Sequence, residues 1–151
     1  MSKKSPKIAE LLKDIQHPVW EANYLGYFKC FNQQMYYEAH DVLEELWLIQ
    51  GKSGKNYAFY KGLIQFAGAF VHMKLHKEFP EHHVHGRRLE PASRLIKLAL
   101  GNVSSYGDVY QDLDLKHLSN LGESYYKALI AEDFKKNPWS PDIAPKLEMP
   151  R

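Results

Sequence analysis

The stretch Tyr57–Met73, YAFYKGLIQFAGAFVHM, constrains the fold more than any other part of the chain. Apolar residues fall on every side of the helix it would form, the pattern of a helix enclosed by others rather than one with a wet face. Lys61, Gln65 and His72 interrupt it, and it is shorter than the ~20 apolar residues a membrane span needs. Gly62, Ala67, Gly68 and Ala69 carry little side chain, so neighbouring helices can come close. At ~100° per residue, Lys61, Gln65, Gly68 and His72 lie on one narrow stripe. A polar stripe on the most enclosed helix is the first functional clue.

The rest of the chain reads as further helices around this one. Residues 1–5 read as loose. Ser5 as cap and Pro6 in the first turn open a helix to about residue 16, with Ile8, Leu11, Leu12 and Ile15 on one side. His17-Pro18 breaks it. A second helix, about residues 19–33, carries Trp20, Tyr24, Tyr27, Phe28 and Phe31 at helical spacing. Cys30 lies near that face and reads as a small buried thiol. A third helix, about residues 35–50, ends at GKSGKN, with Gly51 where a C-terminal glycine belongs. The string GKS is not a phosphate loop, because Leu46 stands where the leading glycine belongs and no strand precedes it.

After the central helix, KEFPEHHVHG is a polar connector. A fifth helix follows, started or kinked by Pro91, with Leu95, Ile96, Leu98 and Ala99 as its apolar set. NVSSYGDVYQDLD reads as a loop. Leu115 to Lys136 reads as the last helix, with Leu118, Leu121, Tyr125, Ala128, Leu129 and Ile130 inward. From Asn137 a proline-rich tail runs extended, strapped down by Trp139. No run alternates like a strand. The expected fold is all-α: five to six helices around the buried helix at about 57–73, without a sheet. It is expected as one domain over 1–151, its core at about 19–136, with helix 6–16 and tail 137–151 as additions.

The chemistry follows from a hairpin. An antiparallel turn at GKSGKN sets residues equidistant from it side by side, so His40 and Glu44, one turn apart, meet Lys61, Gln65 or His72. Buried polar groups are paired, which predicts a hydrogen-bonded His/Glu/Gln cluster. The same residues also suit a site. His40, Glu44 and His72 are three ligands with an open position, the number a catalytic zinc uses. Gln65 would then orient water or substrate. Usual metal spacings are absent, as no His-Glu-x-x-His and no Glu-x-x-His occurs. No cofactor is therefore expected, with a divalent metal such as zinc as the alternative. His76, His82, His83 and His85 fall in a connector polar enough to be simply solvated. Tyr36, Leu43 and Trp47 share the His40 side, whereas Glu38, Asp41 and Glu45 form an acidic flank opposite.

The segments FNQQMYYEAHDVLEELW and KGLIQFAGAFVH resemble the family catalogued as domain of unknown function 309. Its members are short bacterial, archaeal and plastid proteins with a compact all-helical fold. The family pattern falls here on Phe31, Asn32, Tyr36, Glu38, Ala39, His40, Asp41, Glu44 and Trp47. Its second part falls on Gly62, Leu63, Ile64, Gln65 and His72. The likeness spans roughly Tyr24 to Leu100 and departs after His72, where HKEFPEHHVHG replaces a short Gly-Asn turn. It implies a helical fold in which His40, Glu44, Gln65 and His72 act together, and it implies no activity.

A formal charge of +2 is too small for a nucleic-acid surface, and one cysteine rules out a disulfide within the chain. MSKKSPK leads into no apolar signal core, so the expected location is cytoplasmic. No nucleic-acid or membrane partner is expected, whereas a protein partner or a second copy fits. The reading that results is a binding or interaction module without catalysis of its own, its cluster made by His40, Glu44, Gln65, His72, Glu38 and Trp47. One alternative is a small metal-dependent hydrolase on His40, Glu44 and His72. The other is an adaptor presenting Glu38, Asp41 and Glu45 to a protein partner. A pocket opening onto the stripe separates them from a sealed network.

Overall fold

A computed structural model describes residues 5–83 and 85–150. Six helices dominate: α1 (Ser5–Leu12), α2 (Ala22–Asn32), α3 (Tyr36–Gln50), α4 (Tyr57–Glu78), α5 (Leu89–Val103) and α6 (Leu115–Ala131). The expectation for residues 1–4 lies outside the described residues. None of the described helices is long and apolar enough to cross a membrane.

Helix α4 is the axle. Phe59, Leu63, Phe66, Ala67, Ala69, Phe70 and Met73 are fully enclosed. α5 and α3 pack directly on it, and α2 packs on α3. Phe31 stacks on Phe66 and meets Phe70 edge-on, so α2 and α4 share an aromatic centre. The closest approach is at Gly62, where a Cβ would stand 2.7 Å from Val103 Cγ1 and 3.0 Å from the Ala99 carbonyl oxygen. Small residues on α4 therefore admit α5. The helix also outlasts its apolar pattern and ends at Glu78, because good helix formers carry it on. Lys74 Nζ donates to the Gln34 carbonyl oxygen (3.0 Å) and so ties that extension to the α2–α3 turn.

The expectation of no sheet is corrected. Val109–Tyr110 (β1) and Leu113–Asp114 (β2) pair antiparallel, with Val109 opposite Asp114 and Tyr110 opposite Leu113. Gln111 (φ 47°) and Asp112 (φ 59°) both sit left-handed, the backbone of a type I′ turn. Glycine and asparagine usually fill those places, so VYQDLD gives no hairpin signal. Outside bonds hold the ribbon instead. Tyr24 Oη donates to the Gln111 carbonyl oxygen (2.9 Å), and Trp20 Nε1 to Asp112 Oδ2 (3.1 Å).

Other boundaries shift for visible reasons. α6 stops at Ala131 rather than Lys136, because Asp133 and Phe134 turn left-handed (φ 51° and 60°). Ile130 and Leu98, both expected inward, are exposed. Each stands one residue, ~100° of helix, from the seam that Leu129 and Ala99 mark. The tail contains a short 3₁₀ turn, Pro141–Ile143, and otherwise runs extended. Asn32 binds both backbone groups of Leu147 (2.7 and 2.8 Å), and Trp139 is buried with its Nε1 donating to Tyr36 Oη (3.0 Å).

Candidate functional site

Gly51 (φ 73°) ends α3, and α4 begins six residues later at Tyr57, which lays His40 and the α4 stripe along neighbouring helices. His40, Gln65 and His72 meet partners other than those the spacing suggests. His40 turns to its own helix: Nδ1 lies 3.2 Å from Asp41 Oδ1 and Nε2 3.6 Å from Glu44 Oε2. The stripe on α4 turns to the α5 side. Gln65 Oε1 accepts from Asn102 Nδ2 (2.6 Å), and the Arg88 guanidinium lies 3.0 Å from His72 Nδ1.

Arginine is only a donor, so Nδ1 of His72 is the acceptor and Nε2 carries the proton. Burial holds the His72 imidazole down at a pKa of about 4, and the charges of Arg88 and Arg94 push the same way. His72 is therefore a neutral donor at neutral pH. Gln65, with its oxygen engaged by Asn102, has its NH₂ end left for other partners.

The stripe is not sealed. A pocket of about 290 Å³ opens between α3, α4 and the start of α5, lined by Tyr37, His40, Ile64, Gln65, Gly68, Val71, His72, Arg88 and Leu95. Three of the sequence-derived residues, His40, Gln65 and His72, thus share one cavity. Gly68 forms part of its wall and faces Leu95 of α5, where a Cβ would come within 3.3 Å. Its small size matters to the α4–α5 contact, not to the α3–α4 contact that the hairpin suggests.

The other sequence candidates lie elsewhere. Glu44 touches His40 from outside the lining. Trp47 packs against Tyr57 with the rings tilted, 5.1 Å between centres, and its indole N–H is buried and unpaired. Glu38 lines a neighbouring depression with Lys74 and Glu78. Lys61 extends over the Tyr57 ring, 5.8 Å from its centre. The acidic flank is also broken: Asp41 is buried, and Glu45 accepts from Asn23 Nδ2 (3.3 Å). Among the described residues no three His, Cys, Asp or Glu side chains are grouped to hold a metal ion. His40, Glu44 and His72 thus do not form the ligand set the hydrolase reading requires. Cys30 is buried, and desolvation pushes its thiol up to about 11, which suits packing and not attack.

Residues 24–78 match the family model described as Domain of unknown function (DUF309). No curated protein and no solved structure matches the chain. The matched stretch holds most of α2 and all of α3 and α4, and with them His40, Gln65, Gly68 and His72. Arg88 and Leu95 lie beyond it. Leu95 is legible in the apolar set of the fifth helix, whereas Arg88 is not, because a lone arginine at the mouth of a helix carries no periodic signal. The available hint was Arg87-Arg88 immediately before α5.

A larger cleft, about 410 Å³, opens beside Trp20, Glu21, Lys55, Tyr60 and Gln111. Its polar groups already serve the fold. Tyr60 Oη and the Gln111 amide face each other at 3.3 Å, and Tyr110 Oη donates to Asn56 Oδ1 (2.5 Å). Charges of both signs line it, with no consistent polarity. The smaller pocket is the better candidate on chemistry.

Proposed function

We propose that the protein is a small-molecule-binding module whose ligand occupies the pocket between α3, α4 and α5. One observation carries this reading: the polar stripe of the most enclosed helix opens into a cavity with apolar walls instead of closing on itself. Ligand pockets are typically concave, largely apolar and furnished with a few placed polar groups, and ~300 Å³ is the low end of their size. Ile64, Gly68, Val71 and Leu95 supply the walls; Gln65, His72 and Arg88 supply the polar groups. Among the described residues no nucleophile–base pair lines this cavity. The same reading keeps the protein in the cytoplasm, where a lone buried thiol needs no partner.

Two-dimensional NMR with a fragment mixture tests it. Amide shifts are expected to cluster at Gln65, Gly68, His72 and Arg88. Gly68→Leu fills the cavity and is expected to abolish them while helical circular dichroism stays unchanged. Shifts confined to the cleft at Trp20 and Tyr60, or binding undiminished in Gly68→Leu, would overturn the proposal.

A further inference from the structure

The polarity of this pocket is one-sided, and we infer that its ligand is a small organic acid. Its carboxylate meets Arg88 and His72, and its apolar body lies against Ile64, Val71 and Leu95. This inference rests on the pocket being a binding site.

The argument begins with the donor count. Arg88 is a permanent cation with five N–H groups in a planar fork, the shape that matches a carboxylate. His72, fixed by Arg88 as the Nε2–H tautomer, adds a neutral donor, and the NH₂ end of Gln65 adds another. No Asp or Glu is among the lining residues. The carboxylates of Asp41 and Glu44 lie 3.2 and 3.6 Å from the nitrogens of His40. Glu90, on the first turn of α5, is paired with Arg94 at 2.8 Å. A site that offers several donors and a positive charge against apolar walls is complementary to an acceptor-only anion. An amine would meet like charge, and a neutral amide would lose the charge-assisted bond.

The apolar walls decide between two anions. Inorganic phosphate carries no apolar surface and would leave Ile64, Val71 and Leu95 against water. A short-chain or aromatic acid buries them, and each buried CH₂ favours binding by ~0.8 kcal/mol, about fourfold in affinity. The carboxylate gives orientation and the chain gives affinity.

The test uses the full chain at neutral pH with four probes: hexanoate, hexanamide, hexylamine and inorganic phosphate. NMR titration is expected to show hexanoate binding in the pocket at least about tenfold tighter than hexanamide. Hexylamine and phosphate are expected to be weaker still. Arg88→Gln should erase the preference of acid over amide, and Arg88→Lys should retain part of it. Equal binding of hexanoate and hexanamide, or tighter binding of hexylamine or phosphate, would sink the inference. If neutral fragments bind at Gly68 and His72 while no acid does, the acid inference fails and the pocket reading stands. If nothing binds there, both fail.

Discussion

The imidazole of His72 is held neutral by burial and by two arginines, and this makes it a readable probe of the pocket. An unfolded histidine titrates near 6.5, whereas folded His72 does so at about 4. Between those values the unfolded chain binds more protons, so stability rises with pH across the window and is lost as pH falls through it. His76, one turn further along α4, is depressed in the same direction by burial and contributes with the same sign. NMR titration of the imidazole signals is expected to place His72 well below the value of an unfolded histidine. Arg88→Met should move His72 upward, and His72→Gln should flatten the acid limb of the stability curve. An unchanged His72 titration in Arg88→Met would show that the guanidinium does not act on the ring.

Glycine gives a second residue-scale contrast. Gly62→Ala places a methyl 2.7 Å from Val103 Cγ1 and 3.0 Å from a backbone oxygen of α5. Overpacking of that kind costs ~1–3 kcal/mol. Gly101, inside α5, has nothing within 4 Å of its would-be Cβ and a helical conformation. Gly101→Ala should therefore stabilise by ~0.4–1 kcal/mol. Urea denaturation of the two variants should shift the midpoint in opposite directions, and shifts of the same sign would refute the packing argument.

At the scale of elements, the β1–β2 ribbon depends on bonds from outside it. Two strands of two residues, closed by a turn with left-handed Gln111 and Asp112, have little stability of their own. Tyr24 Oη, 2.9 Å from the Gln111 carbonyl oxygen, and the Trp20 indole fix it to α2 and its approach. Tyr24→Phe should cost ~1–3 kcal/mol, because the carbonyl loses its partner beside a buried ring. Hydrogen exchange in residues 109–114 should quicken beyond the global change, and a uniform change would count against the dependence. These facts explain what the sequence could and could not convey. Helices α2 to α5 announce themselves by apolar spacing and the Gly51 stop, because those signals are local. The ribbon does not, because its turn is imposed by Tyr24 and Trp20, 80 residues and more away in sequence. The site divides along the same line. His40, Gln65 and His72 are legible as a stripe and its hairpin neighbour, yet the hairpin argument gives them the wrong partners. Asn102 in α5 and Arg88 just before it, which orient Gln65 and His72, are placed by the packing of α5 against α4 at Gly62.

For the whole molecule, the question is how the C-terminal tail contributes to a bundle whose match to the family model ends at Glu78. Trp139 is only 2% exposed and packs edge-on against Tyr36, at 5.9 Å between ring centres, with its indole N–H on the Tyr36 oxygen. Tyr36 in turn abuts Phe31 and Phe70, the aromatic centre shared by α2 and α4. Asn137 Nδ2 donates to the Met73 carbonyl oxygen (2.8 Å), so the tail grips α4 directly as well. The tail is thus a continuation of the core rather than a solvated extension. Removing a buried tryptophan typically costs ~3–5 kcal/mol, and in a chain of this length ~1 kcal/mol moves the melting temperature by ~2–4 °C. Trp139→Ala should therefore melt roughly 6–20 °C lower. Trp139→Phe keeps the ring but leaves the Tyr36 hydroxyl without its donor, and should fall between. The pocket lies on the other flank of α4, so ligand-induced shifts at Gly68 and His72 should survive in folded Trp139→Phe. A melting temperature unchanged by Trp139→Ala would show that the tail does not belong to the folded core.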